Sequence, residues 1–334
     1  MIKRLSLTYF RNFKEAQFDF KEGVNLITGP NGSGKTNILE AIAYVSQGKS
    51  FRKASDRDLI SFNHNFFRIH AITTKGDLTH EITAGFDGES GVKYILIDNK
   101  QIERISNLFS FLPTLISTDR DQEIVDGPPA ERRNMINRLI SIVHPEYIDL
   151  LIDYRKVLEN KNILLKEQRI SEIKPWNERQ EQLSMRILNY RKTFIEQINP
   201  LFSEKSTYFL NGKKANLQFE PSYTGNTPIQ NFLNDELRYG FSIVGPHRDN
   251  FEFIIDGKPA RIFASEGEKR LMILSFYFAF LELYKPDSII ILDEPFSVLD
   301  KRGCQVVLSN LKNQAFITSP QPVDGVPVGN MIRL

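Results

Sequence analysis

Gly29-Pro30-Asn31-Gly32-Ser33-Gly34-Lys35-Thr36 fills every fixed position of the pattern G-x-x-x-x-G-K-[ST]. A polyphosphate must be met by converging backbone N–H groups, and glycines let the chain turn without a Cβ in the way. The residues beyond Lys35 read as a helix, whose N-terminus carries about half a positive charge and favours an anion. In that setting Lys35 neutralises β/γ-phosphate oxygens and Thr36 offers its hydroxyl to Mg²⁺. Glycine turns of this kind also arise by accident. Here the flanks agree: Gly23 to Thr28 reads as a short buried strand, and Ile38, Ile42 and Val45 form one face of an amphipathic helix that Gly48 stops.

Far along the chain, Ser288-Ile289-Ile290-Ile291-Leu292 is a β-branched run suited to a central strand covered on both faces, and it ends in Asp293-Glu294. Two acids at a strand end are also what a solvated terminus looks like. Beside a phosphate loop they acquire roles: Asp293 in the shell of a Mg²⁺ ion, and Glu294 orienting or deprotonating a water. ATP and Mg²⁺ are therefore the expected cofactors, Lys35, Asp293 and Glu294 the expected catalytic residues, and Thr36 and Asp293 the expected metal ligands. A third element, Ser265-Glu266-Gly267-Glu268-Lys269-Arg270, opens a helix running to about Tyr284. It is either another anion-binding N-terminus or an ordinary cap.

The loop and the acids lie near opposite ends of the chain, so a long insertion must leave their core and return. Alternation at Leu5, Leu7, Phe18 and Phe20 predicts opening strands, and residues 66–99 predict an antiparallel β meander with turns at Lys75-Gly76-Asp77 and Asp87 to Gly91. Ile148 to Arg169 and Pro175 to Ile198 have apolar residues at helical spacing, which predicts an antiparallel pair separated at Pro175. Phe251 to Ile255 and Ala315 to Thr318 read as strands, and Ser319 to Val328, with three prolines, as loop. The expected fold is α/β: an ATPase lobe over 1–125 and 241–334, split in sequence, with a mainly helical lobe inserted over 126–240.

The order of phosphate loop, serine-glycine helix start, carboxylate strand and then Ser297-Val298-Leu299-Asp300 resembles the ABC-type ATPases. Within them the chain is similar to the RecF family of bacterial recombination-mediator ATPases. That closer resemblance rests on Phe10-Arg11-Asn12-Phe13, Gly29 to Ala41, Ser50-Phe51-Arg52, Gly127-Pro128-Pro129, Arg132-Arg133, Tyr154 to Lys166 and Gly245-Pro246-His247-Arg248-Asp249. It spans nearly the whole chain. The resemblance implies binding to duplex DNA and single-strand/duplex junctions, and head-to-tail dimerisation on ATP with release on hydrolysis. It also implies work with RecR and RecO in loading RecA at gaps. Arg11 and Asn12 would join Gly29 to Thr36 around the nucleotide. Ser265 and Gly267 would act as a signature on the opposite subunit's nucleotide, with Asp300 in the adjoining loop. Two departures stand out: Glu294 where the family often has aspartate, and Glu268 where it usually has glutamine. Gln122 is the candidate for the magnesium-sensing glutamine.

Charge balance is close to even, at a formal +2, so composition does not announce a nucleic-acid binder. The candidate DNA contacts are local: Arg52 and Lys53 with Lys49, Arg132 and Arg133, and the basic residues Arg155, Lys156, Lys161, Lys166 and Arg169, which are interleaved with acids. His247, Arg248 and Asp249 fit either an active-site lining or a hydrogen-bonded turn. A single cysteine, Cys304, excludes an internal disulfide, and no Cys/His cluster has metal-ligand spacing. The N-terminus does not read as a signal peptide and the richest apolar run, Leu271 to Leu283, contains Glu282, so a soluble cytoplasmic protein is expected. Alternatives to the DNA-dependent ATPase are a transporter energy-coupling subunit and a DNA scaffold that binds ATP without turnover.

Overall fold

The computed structural model describes residues 1–284, 287–321 and 328–334. Its strands are β1 (Ile2–Phe10), β2 (Phe13–Asp19), β3 (Val24–Thr28), β4 (Phe66–Lys75), β5 (Leu78–Asp87), β6 (Lys93–Ile97), β7 (Lys100–Gln101), β8 (Thr114–Ser117), β9 (Ala215–Glu220), β10 (Asn250–Ile255), β11 (Lys258–Pro259), β12 (Ile289–Leu292), β13 (Ala315–Ser319) and β14 (Val328–Arg333). The α-helices are α1 (Lys35–Gln47), α2 (Ser106–Phe111), α3 (Gln122–Asp126), α4 (Pro129–Val143), α5 (Glu146–Lys166), α6 (Lys174–Phe209), α7 (Leu233–Tyr239), α8 (Ala260–Phe263), α9 (Glu266–Tyr284) and α10 (Lys301–Ser309).

The fold is α/β, and the chain divides into two compact units: Met1–Asp121 with Tyr284–Leu334, and Gln122–Leu283. The first is built from both ends of the sequence. Its six-stranded sheet runs β2-β1-β4-β5-β6-β7 and is antiparallel throughout. Its five-stranded sheet runs β14-β3-β13-β12-β8 and is parallel throughout. Helix α1 packs against strands of both sheets, and Ile38 to Gln47 are all buried. It is therefore buried nearly all round rather than on one face, because it fills the space between two layers. Each aliphatic side chain that it buries is worth about 1.5–3 kcal/mol. Among these buried residues is a carboxylate, Glu40, fully excluded from solvent.

The second unit pairs α5 with α6 and packs α6 and α4 on a three-stranded antiparallel sheet, β11-β10-β9. Phe202, Phe253 and Phe276 meet edge-to-face in its core. Residues 241–283, which the sequence places with the first lobe, belong to this unit: β10 pairs with β9 along its whole length. Pro175 does not lie between the helices but in the first turn of α6, where a missing N–H costs nothing. The helix then runs past its expected end at Ile198, through Pro200, to Phe209.

The loop expected over 319–328 falls mainly on residues 322–327, which lie outside the described residues; Ser319 closes β13 and Val328 opens β14. Strands β7, β8, β9, β11 and β14 and helices α2, α3, α8 and α10 were not expected. No described helix is long and apolar enough to cross a membrane.

Candidate functional site

In the parallel sheet, β13 lies between β3 and β12. The strands all point the same way, so their C-terminal ends bring Thr28, Ser319, Leu292 and Ser117 to one edge, where ligands of such sheets bind. The phosphate loop leaves β3 at that edge and the two acids leave β12.

The loop is shaped by backbone the sequence can only meet with glycine. Gly34 has φ 106°, and a Cβ there would fall 2.7 Å from the Asn12 amide nitrogen and 2.8 Å from the Phe13 ring. The close neighbour is the short β1–β2 connection, which presses Asn12 onto the loop: its Nδ2 donates to the Ser33 carbonyl at 3.2 Å, and its Oδ1 accepts from Asn37 at 2.8 Å. Lys35 is only 4 % exposed, and its ammonium donates back to the carbonyls of Gly29 and Pro30 at 2.8 and 3.0 Å. The Ser33 hydroxyl is buried without a hydrogen-bond partner. A loop with a lysine curled onto its own carbonyls and an orphaned hydroxyl is chemically incomplete in a way that phosphate oxygens remedy.

Thr36 and Asp293 meet. The Thr36 hydroxyl donates to Asp293 Oδ1 at 3.0 Å across 257 positions of sequence, and the Thr318 hydroxyl donates to the same oxygen at 2.6 Å. Burial pushes the Asp293 carboxyl above its ordinary value, the two hydroxyls oppose that rise, and Asp119 adds to it. A buried acid beside a hydroxyl that lacks enough positive charge fits a divalent cation held by Thr36, Asp293 and phosphate oxygens. Among the described residues no cluster of three or more His, Cys, Asp or Glu could hold a metal unaided. Glu294 follows in the left-handed region at φ 46°, with its N–H donating to the Thr318 hydroxyl at 2.9 Å. Such a conformation costs of order 1–3 kcal/mol and is held here by the Thr318 bond and the buried strand before it.

A second layer lies behind the loop. Arg11 grips Glu40 with both ends of its guanidinium, Nε to Oε2 at 2.8 Å and Nη2 to Oε1 at 2.7 Å, and Ser50 donates to the same carboxylate. Arg11 is thus engaged with a buried acid on α1, while its neighbour Asn12 touches the loop. Arg52 is half-exposed, 4.0 Å from Glu40, with Nη1 3.4 Å from the Asn37 side chain. Lys53 beside it is exposed.

In the second unit, Ser265 and Glu268 form a reciprocal cap on α9: the Ser265 N–H donates to Glu268 Oε2 at 2.8 Å, and the Glu268 N–H to the Ser265 hydroxyl at 3.3 Å. Glu268 Oε1 accepts from Lys213 at 2.5 Å. Gly267 lies in the first turn. Asp300 caps α10, accepting from the Gly303 N–H at 2.7 Å. Gln122 opens α3 and the second unit.

The expected basic contacts separate. Arg132 is 7 % exposed and turned inward; its Nη1 donates to the carbonyls of Ile124 and Val125 at the end of α3 and of Gly127 just beyond it. It closes a helix and presents no charge to a phosphate backbone. Arg133 is part-buried and donates to the Asp249 carbonyl at 2.9 Å. Lys161 is fully buried on Glu236 at 2.6 Å, while Arg155 and Arg169 pair with glutamates on their own surface.

In the Gly245–Asp249 block Gly245, Pro246 and Asp249 are buried, His247 is partly so and Arg248 is exposed. Asp249 accepts from Arg191 at 2.5 Å and from the Ser222 N–H at 2.8 Å. His247 faces the Ser242 carbonyl through Nε2 at 3.0 Å, so that nitrogen carries the hydrogen; Nδ1 accepts from the Tyr154 hydroxyl at 2.7 Å. Burial, opposed by the Ser242 bond, brings His247 down to about 4, which keeps this ring neutral.

Sequence reasoning missed Thr318 and Glu40. Thr318 carried a signal, a hydroxyl at the C-terminal end of a β-branched strand. Glu40 carried a fainter one, an acid within a helix whose neighbours are apolar.

The family model described as the RecF/RecN/SMC N-terminal domain matches residues 1–321. The chain is 31 % identical to the DNA replication and repair protein RecF of Heliobacterium modesticaldum, over 95 % of this chain and 92 % of that one. It is 30 % identical to the RecF protein of Clostridium acetobutylicum at the same coverage. The solved structure of the recombination mediator RecF with ATP, of the RecFOR pathway, superposes with a TM-score of 0.86 at 28 % identity, covering 97 % of this chain and 92 % of that one. An Smc head bound to the winged-helix domain of ScpA shares the fold, with a TM-score of 0.60 at 21 % identity, over 96 % of this chain and 89 % of that one.

Proposed function

The chain belongs to the RecF family of the RecF/RecN/SMC N-terminal-domain group, and we propose that it is an ATP-controlled DNA-binding switch with slow, DNA-stimulated ATP hydrolysis. The observation that carries the nucleotide chemistry is the Thr36–Asp293 hydrogen bond. It joins the phosphate loop to the acidic strand across 257 positions of sequence.

Lys35 would exchange the Gly29 and Pro30 carbonyls for β/γ-phosphate oxygens, and the loop N–H groups with the Ser33 hydroxyl would complete the cradle. Thr36 and Asp293 would hold Mg²⁺, which supplies charge neutralisation at the reacting phosphate. Glu294, fixed through its backbone by Thr318, would orient and deprotonate water. Asn12 would add a contact at the mouth of the loop. In a head-to-tail dimer, Ser265 and Gly267 would meet the nucleotide of the opposite subunit, with Asp300 beside them.

DNA would be held by its phosphates, without base reading, and Arg52 and Lys53 are the contacts favoured by exposure and by sharing a unit with the nucleotide loop. Membership of the family supports a role with RecO and RecR in loading RecA at gaps. Family membership also favours this reading over a transporter-coupling subunit. The lobe boundaries that fit this function are those of the two compact units.

ATP hydrolysis and sedimentation, each with and without duplex DNA, test the proposal. Lys35→Ala should lose nucleotide binding, and Glu294→Gln should accumulate as an ATP-bound dimer on DNA. Equal ATP consumption by wild type and both variants would sink the catalytic reading. Turnover-free ATP binding with intact DNA binding would instead favour a scaffold.

A further inference from the structure

The start of α9 carries a carboxylate where a phosphate-binding turn is expected to be neutral or positive. Glu268 stands three residues after Ser265, and its Oε2 occupies the Ser265 N–H at 2.8 Å. That N–H and the Ser265 hydroxyl are the donors a γ-phosphate would need. The helix N-terminus stabilises this internal anion as it would stabilise an external one. An uncompensated glutamate here would repel a triphosphate, at a cost that grows as the interface closes and water leaves.

The compensation comes from elsewhere in the unit. Lys213, from the turn between α6 and β9, donates its ammonium to Glu268 Oε1 at 2.5 Å. The pair is partly exposed, with side chains 47 % and 25 % accessible. Lys213 holds the Glu268 carboxyl below its ordinary value, and the Ser265 N–H does the same to a smaller extent. Each oxygen of Glu268 therefore has a donor, and the Ser265–Glu268–Lys213 group carries no net charge. An exposed pair of this kind adds little to folding. Its geometry matters for what can approach Ser265.

We propose that Lys213 is the countercharge of this signature turn: it neutralises the Glu268 carboxylate that caps the Ser265 N–H, so that a second copy's ATP can approach. This rests on the reading of Ser265 as a contact made across a dimer. Lys213 is then a positioning residue for ATP-driven dimerisation, acting through Glu268.

The test is a double-mutant cycle on the full chain in the Glu294→Gln background. The dimer dissociation constant is read by sedimentation in saturating ATP and Mg²⁺, together with ATP affinity at low protein concentration. Lys213→Ala should weaken dimerisation by about five- to tenfold without changing the melting temperature or monomer ATP affinity. Glu268→Gln should restore dimerisation in the Lys213→Ala protein, and should leave it at least as strong as wild type when Lys213 is present. A Lys213→Ala dimer as tight as wild type, or a double variant as weak as the single one, would overturn the proposal. Ser265→Trp gauges the underlying reading separately. If that variant still dimerises on ATP, Ser265 is not at the interface and the cross-dimer reading itself fails.

Discussion

The Thr318 hydroxyl donates to Asp293 at 2.6 Å and accepts the N–H of the next residue, Glu294, at 2.9 Å. One side chain from β13 thus orients both acids of β12, because β13 lies between the strand of the phosphate loop and the strand of the acids. Thr318→Val keeps the shape and removes both bonds. We expect turnover to fall about 10–100-fold, as for loss of an outer partner of a metal ligand, with ATP affinity measured without Mg²⁺ unchanged. Steady-state kinetics and equilibrium binding separate the two.

Asp293 is a buried acid whose carboxyl is raised above its ordinary value, chiefly by desolvation. Its ionised form therefore opposes folding at neutral pH. Stability gained from protonating it appears as pH falls through the raised folded value and is complete below the ordinary aspartate value near 4. Asp293→Asn should raise the melting temperature of the nucleotide-free protein at pH 7 and abolish the further rise caused by Mg²⁺ with ATP. Thermal melts with and without Mg²⁺-ATP report both effects.

His247 titrates in the opposite sense. Its folded value of about 4 lies below the ordinary value, because burial disfavours the charged ring. Stability is lost as pH falls through the unfolded value near 6.5 and the loss is complete below the folded value, amounting to about 3 kcal/mol. His247→Gln should flatten the stability profile across that window while lowering stability at pH 8. Urea unfolding at several pH values measures it.

Glu40 is buried with Arg11 gripping both of its oxygens. Removing one partner of such a pair typically costs 3–5 kcal/mol. Glu40→Ala should destabilise the protein by about that amount and release the Arg11–Asn12 connection from the phosphate loop, which would appear as weaker ATP binding in a calorimeter.

The arginines expected to face DNA should behave differently from one another. Arg52→Ala and Lys53→Ala should each reduce the log–log salt slope of DNA binding by about 0.9 per lost phosphate contact. Arg132→Ala should leave the slope unchanged and lower the melting temperature, since its guanidinium closes α3.

Much of the site was legible because it is local chemistry. A glycine-rich loop between strand and helix, and acids ending an apolar run, can each be read from a dozen residues. Thr318 was not legible, because its role depends on which strand lies between two others, and strand order is a long-range property. Arg132 looked like a DNA contact because sequence shows charge but not direction; only α3 ending beside it turns the guanidinium inward. The same limit hid the boundary at Leu283, since β10 declares its allegiance only by pairing with β9.

Building one unit from both ends of the chain has a consequence for synthesis. A ribosome that has made Thr36 must add another 257 residues before Asp293 exists, which takes about 13–50 seconds at 5–20 residues per second. During that interval β3 and α1 have no β13 or β12 to cover them, while residues 122–283, the whole of the second unit, are completed ten residues before Asp293. The inserted unit can therefore mature first on the nascent chain. The edge of the parallel sheet that carries the phosphate loop and the two acids can form only after β12 and β13 have been made.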